Sequence, residues 1–483
     1  MIASERSEPI LIQGGMGVAV SGWQLARAVS KRGQLGVVSG TAIDSVLARR
    51  LQMGDPSGDL RRALAEFPYQ PMADRILARY FVPGGKSAHE PFVATTVLPV
   101  CPSQEQVELV VVANFVEVFL AKEGHDGLVG INLLEKIQTP TLASLYGAML
   151  ADVDYVLMGA GIPRTIPGIL DRFAQGEPAN MAIYVDGADA NEVHRIHFSP
   201  AEFTQGEVPW LKRPKFLAIV ASATLASMLA KKADGYVDGF VIEGPSAGGH
   251  NAPPRGTAQF NAIGEPIYGD RDVVDLRFFR ELGRPFWLAG SYGTPDKLAA
   301  ALSAGAAGIQ VGTAFAYCRE SGLDDSLKQR VIELVQRGEA RVFTDPVASP
   351  TGFPFKVLGL TGSMSEAVAL QDRHKVCDLG YLRHAHKMAD GSIVWRCPGE
   401  PTQAYFQKDG CEADTVGRKC VCNGLMAAIG LAQCRKSGDE LPLVTCGNDV
   451  NSIAAFLPNE DVTAYSASDV IDHLMSAVQP IAP

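Results

Sequence analysis

The chain has 483 residues, 47% hydrophobic and 20% charged, with a net charge of −10. That composition supports a large packed core rather than disorder, and the acidic balance without a long basic run excludes phosphate-backbone binding as a main activity. The opening MIASERSEP has no apolar leader, and the apolar stretch 107–120 holds Glu108, Asn114 and Glu117 and falls short of the roughly 20 residues a bilayer requires.

A cytoplasmic protein with no membrane or nucleic-acid partner is therefore expected. In a reducing compartment its nine cysteines are expected as free thiols or metal ligands rather than disulfides.

Short apolar runs alternate with helical patterns, which predicts βαβ units and a parallel sheet. In chain order the expected strands are 10–13, 35–39, 128–132, 155–158, 216–220, 239–242, 286–289 and 308–311. This pattern fits a (β/α)8 TIM barrel spanning 1–321. The first strand ends in Gln13-Gly14-Gly15-Met16-Gly17, where glycines let backbone approach a flat ring and Met16 can pack on one. The rival reading, a dinucleotide loop, needs a glycine where Val20 stands. The following helix is expected to begin with Ser21 as N-cap and Gln24 reaching back, and to end at Gly33.

Residues 54–127 form a long insertion after strand 2, with helices expected at 60–67, 73–81 and 107–122. It reads equally as a lid or as packing decoration. The third strand ends in Asn132, whose amide suits a heterocycle edge or an Asx turn. A ninth apolar run, 182–185, is read as an inserted hairpin with 193–198.

The sixth barrel strand runs into Glu243 and then Gly248-Gly249-His250. A histidine delivered there is a candidate neutral general base, against a histidine that only bonds loop backbone. The nearby Arg255 reads as an anion contact or, more simply, a solvated loop arginine. The seventh strand ends in Ala289-Gly290-Ser291-Tyr292-Gly293 and the eighth in Gln310-Val311-Gly312-Thr313. Glycines at these two strand ends, with a helix starting at Thr294-Pro295-Asp296, predict a phosphate site; ordinary turns are the alternative.

From about 322 the alternation stops, and 322–483 read as a Cys-rich C-terminal subdomain packed on the barrel. Cys377, Cys397, Cys420 and Cys422 are conceivable ligands for zinc or an iron–sulfur centre. The C-x-C spacing of Cys420 and Cys422 has no C-x2-C partner, so buried free thiols are the favoured reading.

Five ordered motifs, PILIQGGMG, GINL, EGPSAGGH, LAGSYG and AAGIQVGTAF, cover about residues 9–320. Together they resemble the nitronate monooxygenase (formerly 2-nitropropane dioxygenase) family, and more distantly the flavin-dependent enoyl-acyl-carrier-protein reductases. The resemblance implies non-covalent FMN, with Gly15, Met16, Gly17 and Asn132 by the ring. It also implies that Glu243, Gly248, Gly249, Gly290, Ser291, Gly293, Gln310, Gly312 and Thr313 complete the ring and phosphate contacts. His250 matches the base that removes the substrate proton.

Glu243 and the Asn251–Gly256 loop depart from the family pattern, and a carboxylate beside a flavin disfavours an anionic reduced ring. The activity implied is oxidation of nitronates or similar carbon acids with O2. The alternatives are an NAD(P)H-dependent enoyl-thioester reductase with an acyl-carrier or synthase partner, and a non-catalytic flavin carrier in a larger complex. A small-molecule substrate is expected, and a homodimer is compatible with the reading.

Overall fold

The computed structural model describes residues 8–95, 98–189, 191–436, 438–459 and 461–478. Eight parallel strands form its centre: β1 (Leu11–Gln13), β2 (Gly36–Ser39), β3 (Val129–Leu134), β4 (Tyr155–Gly159), β5 (Lys215–Val220), β6 (Gly239–Glu243), β7 (Phe286–Ala289) and β8 (Gly308–Val311). Their order is β1-β8-β7-β6-β5-β4-β3-β2. The ring closes where the Gln13 amide donates to the Leu35 carbonyl at 2.9 Å and the Leu35 amide donates to the Leu11 carbonyl at 3.0 Å. The expected TIM barrel is the observed fold.

Alternation along each strand separates two apolar layers. Ile12, Val37, Leu157, Leu217, Val241 and Trp287 fill the barrel. Their neighbours, such as Ile131, Val156, Phe216, Phe240 and Ile309, face outward onto the helices. Trp287 Nε1 donates to the Pro9 carbonyl at 2.7 Å, which ties the segment entering β1 to the barrel core.

The first helix, Trp23–Lys31, has Gly22 rather than Ser21 at its N-cap. Ser21 Oγ instead accepts from the Met16 amide and donates to the Gly14 carbonyl, both at 2.9 Å. The helix start is satisfied by tertiary contact: the Trp23 amide donates to Glu117 Oε1 at 2.7 Å.

Helix Ile43–Gln52 follows β2, and in the insertion helices run Asp59–Ala65, Gln70–Tyr80 and Gln104–Lys122. The last begins in a capping box at Ser103 and packs on the outside of the barrel against helices Trp23–Lys31 and Thr141–Leu150. Glu108 on it is buried against Arg75 at 2.7 Å. The long helix of the insertion packs on the barrel exterior, and Leu98 of the same insertion lines a second cavity described below. No helix among the described residues is long and apolar enough to cross a membrane.

The hairpin forms slightly earlier than expected, with Ala179–Ile183 antiparallel to His194–Phe198. The expected run divides there, because Val185–Asp186 leaves to pair with His384–Lys387 of the tail. The tail adds helix Asp325–Gln336, the strand pair Val342–Asp345 and Phe355–Leu358, helix Val421–Ala427 and helix Ala467–Met475. Val331, Leu358, Met364, Leu443 and Leu474 join the same continuous core as the outer barrel layer. Helix Ala467–Met475 returns to pack on helix Trp23–Lys31, and Tyr465 Oη donates to the Ala314 carbonyl at 2.7 Å.

Candidate functional site

A cavity of about 410 Å3 opens at the C-terminal ends of the barrel strands. The structure places Gly15, Met16, Gly17, Asn132, Glu243, Gly248, Gly249, His250, Gly290, Ser291, Gln310, Gly312 and Thr313 on its wall. Gly293 lies just outside it. Tail residues complete the wall, among them Phe353, Phe355, Tyr381, Cys422, Leu425, Cys446 and Asp449.

The β1 loop is held close to β3. A Cβ at Gly15 would stand 2.3 Å from the Asn132 Cβ, so only glycine permits this approach. Asn132 Nδ2 donates weakly to the Gly15 carbonyl at 3.4 Å. The Asn132 Oδ1 and Gln310 Oε1 oxygens are buried without a hydrogen-bond partner. Such an unpaired acceptor costs about 1–3 kcal/mol, and both residues line the cavity, which suits a heterocycle that carries N–H donors.

His250 and Glu243 stand in the same wall with opposite departures from ordinary acidity. Desolvation, aided by the Lys136 ammonium, pulls His250 down to about 4. Desolvation alone pushes the Glu243 carboxyl up to about 7. At neutral pH the imidazole is therefore uncharged, and Glu243 is held partly protonated. That removes much of the conflict between a Glu243 carboxylate and an anionic ring.

His250 Nε2 lies 2.6 Å from Ser349 Oγ, and its ring meets Phe355 edge-on at 4.8 Å. The loop is stitched to the tail strand on both sides, Lys356 N to Gly249 O and Asn251 N to Pro354 O, each 2.9 Å. Lys136 lies over the Phe353 ring at 3.0 Å, and burial pulls its ammonium down to about 8.

The two strand ends expected to hold phosphate are shared with the tail. Gly290 and Ser291 turn through φ +96° and +56°, left-handed backbone that opens the loop after β7. Thr313 Oγ1 donates to Asp449 Oδ1 at 2.8 Å and accepts from the Gly447 amide at 3.0 Å. The Gly293 amide also bonds Asp449, and desolvation drives that carboxyl up. Gly293 and Thr313 thus already serve a carboxylate, although Lys297 supplies a cation beside Ser291.

Several residues of this wall lie far along the chain from the strand-end motifs. Tyr381 Oη donates to the buried Asp44 carboxylate and lies 2.9 Å from Ser45 Oγ. Ser349, Phe355, Tyr381 and Asp449 follow no spacing that a sequence reading uses. The Gly447-Asn448-Asp449 turn signature is their one local signal. Arg255, by contrast, straps its own loop through the Arg271 and Ala221 carbonyls at 2.6 and 2.8 Å, and stands off the cavity wall.

Residues 173–350 match the Nitronate monooxygenase family. The chain is 28% identical over 195 residues to a nitronate monooxygenase of Paraburkholderia phytofirmans, covering 40% of this chain and 48% of that protein. It is 29% identical over 144 residues to the (3aS,4S,5R,7aS)-5-hydroxy-7a-methyl-1-oxo-octahydro-1H-indene-4-carboxyl-CoA dehydrogenase of Rhodococcus jostii, covering 29% of this chain and 35% of that protein. Both matches span less than half of the relative. The enoyl reductase domain of MlnA from Bacillus amyloliquefaciens shares the fold with a TM-score of 0.50 at 12% identity, covering 97% of this chain and 93% of that one. Over residues 173–350 the chain is therefore similar to the nitronate monooxygenase family, the family that its strand-end motifs resemble.

Proposed function

We propose that the chain is an FMN-dependent oxidoreductase of the nitronate monooxygenase type, acting on nitronates or similar carbon acids with O2. The observation that carries this reading is an uncharged His250 in a glycine-rich wall that also presents the unpaired oxygens of Asn132 and Gln310. The ring would lie between the β1 loop and β8, with Asn132 and Gln310 accepting from its N–H edge. The Gly290–Ser291 turn and Lys297 suit the phosphate, which Asp449 opposes. Bound there, the flavin supplies the electron transfer between substrate and oxygen.

The residues supply position and proton handling. In the tautomer that donates Nε2–H to Ser349, His250 keeps the Nδ1 lone pair to take the proton from the substrate carbon. Phe355 and the two flanking backbone bonds hold the imidazole in place. Glu243, partly protonated, donates or accepts a proton without adding a full charge to the dry end of the cavity.

A second reading follows from a further cavity of about 650 Å3, which shares Ile137, Gly161, Ile162, Tyr381 and Leu382 with the first. Lys136, Arg383 and Arg418 line it together with Asp44, Glu135 and Asp414, and the two cavities joined give room for a long substrate. That favours a thioester substrate and NAD(P)H as reductant, and one similar protein is named for a CoA-thioester reaction. Anaerobic stopped-flow reduction of FMN-loaded protein separates the two. Rapid reduction by a nitronate supports the first reading; reduction by NADH or NADPH alone, reversed by an enoyl thioester, replaces it with the second. Absence of flavin absorbance after FMN loading and desalting overturns both.

A further inference from the structure

The tail does not gather its cysteines into the centre their number allowed. Among the described residues no group of three or more His, Cys, Asp or Glu is set to hold a metal ion, which leaves Cys377, Cys397, Cys420 and Cys422 without a ligand set. Burial also keeps the Cys397 and Cys420 thiols protonated. What the tail brings to the candidate base is a chain of hydroxyls.

His250 Nε2 lies 2.6 Å from Ser349 Oγ, and Ser349 Oγ lies 2.9 Å from Thr351 Oγ1. His250 stands in the wall of the first cavity and Thr351 in the wall of the second. Ser349 is fully buried and links the two without lining either. The turn that carries both hydroxyls is held from two sides. Asp345 Oδ1 accepts from the Val347 and Ala348 amides at 2.9 Å, and Arg418 Nη1 donates to the Ser349 carbonyl at 2.6 Å.

The capacity of each hydroxyl, one proton and two lone pairs, fixes the direction of the chain. With His250 donating from Nε2, Ser349 Oγ accepts from the imidazole and from the Thr351 amide at 3.2 Å. Its own proton therefore goes to Thr351 Oγ1. Thr351 Oγ1 also accepts from the Phe353 amide at 3.4 Å. Among the described residues no acceptor takes the Thr351 hydroxyl proton, which is left for the second cavity. Tyr184, 70% exposed, and the exposed Asp414 stand on the same wall, so this cavity opens to solvent.

We propose that Ser349 and Thr351 form a proton relay from His250 to the second cavity. The relay rests on the reading of His250 as the base that deprotonates a carbon acid. The substrate C–H bond breaks, its electron pair stays on carbon, and the proton goes to Nδ1. The Nε2 proton passes to Ser349, the Ser349 proton to Thr351, and the Thr351 proton to water or a buffer base in the second cavity. A ligand that fills the first cavity closes the direct route to solvent, which leaves the path behind the imidazole. Burial and the Lys136 ammonium pull His250 down to about 4, too low to keep the proton it has taken. When the product leaves, the Nδ1 proton is lost to solvent and Nε2 is reprotonated as the two hydroxyls rotate back.

The test follows oxygen consumption by the FMN-loaded full chain with nitroethane as the probe. Thr351→Val keeps the shape without the hydroxyl and should lower kcat about tenfold or more with little change in KM, as should Ser349→Ala. Thr351→Ser restores the hydroxyl and should stay within about twofold of wild type. In Thr351→Val the ratio of kcat in H2O to kcat in D2O should rise, because proton exit has become limiting. An unchanged kcat in Thr351→Val, or a loss without that rise, overturns the relay. An unchanged rate in His250→Ala removes the base and the relay together. If nitroethane is not turned over and crotonyl-CoA is reduced with NADPH, the first reading fails. The same variants are then scored on that reaction, in which the proton runs inward. The first link is read without turnover, by nitrogen-15 NMR of histidine-labelled, flavin-free chain. His250 should be the neutral Nε2–H tautomer, with faster exchange of that proton in Ser349→Ala. An Nδ1–H tautomer, or exchange unaffected by the substitution, overturns the proposal.

Discussion

His250 and Glu243 show how one apolar wall acts oppositely on a base and an acid. Burial penalises the charged form of each, so the imidazole loses its proton affinity and the carboxyl gains it. His250→Ala is expected to slow anaerobic reduction of FMN-loaded protein by a nitronate about 10²-fold. Stopped-flow absorbance reads this directly, and an unchanged rate removes His250 as the base.

Glu243 carries a stability consequence. Its carboxyl stays protonated in the folded chain up to about 7, whereas it ionises from about 4.5 when unfolded. Folding then binds an extra proton between those values. The contribution of Glu243 is complete below the unfolded value and is lost as pH rises through about 7. Asp44 and Asp449 are shifted the same way. Glu243→Gln should therefore flatten, not abolish, the fall in urea midpoint from pH 5 to 8; the change is on the order of 3 kcal/mol at most. Parallel curves for the two proteins would sink the assignment.

The βα loops are finished by elements that follow them at long range. The turn after β7 and the start of the helix after β8 both lean on Asp449, so the end of the cavity proposed for the phosphate contains a carboxyl of the chain's own. Asp449→Asn should tighten FMN binding about tenfold and leave riboflavin, which lacks the phosphate, unchanged. Fluorescence titration with the two flavins measures both. Weaker FMN binding would mean that the carboxylate builds the cradle rather than competing with its ligand.

What could be read from the sequence divides along the same line. The barrel strands are buried on both faces, so they appear as short apolar runs ending in glycine, and all eight expected positions became strands. The strand-end residues were legible because each lies within a few positions of its strand. Ser21 misled because a capping box is a local pattern, and Ser21 Oγ was taken by the loop it closes. The partner of His250, Ser349, lies 99 residues away and is specified only by the folded chain.

Over the whole molecule, the tail and barrel share one hydrophobic core, and the last described helix packs on the first. A chain ending at 321 would expose Phe315, Tyr317 and the outer face of helix Trp23–Lys31. Such a truncation is expected to aggregate, while the full chain should unfold in one calorimetric transition. Two separated transitions, or a soluble and cooperatively folding 1–321 fragment, would show that the barrel stands alone.

The bond from Thr313 to Asp449 spans 136 residues. On a ribosome adding about 5–20 residues per second, that separation is roughly 7 to 27 s of synthesis. Throughout this interval the strand ends have emerged, while the segment that covers them has not yet been made. The nascent barrel must keep its glycine-lined mouth from other chains for that time. On the proposed reading, cofactor loading is then a late event, timed by the arrival of the C-terminal third rather than by completion of the eight strands.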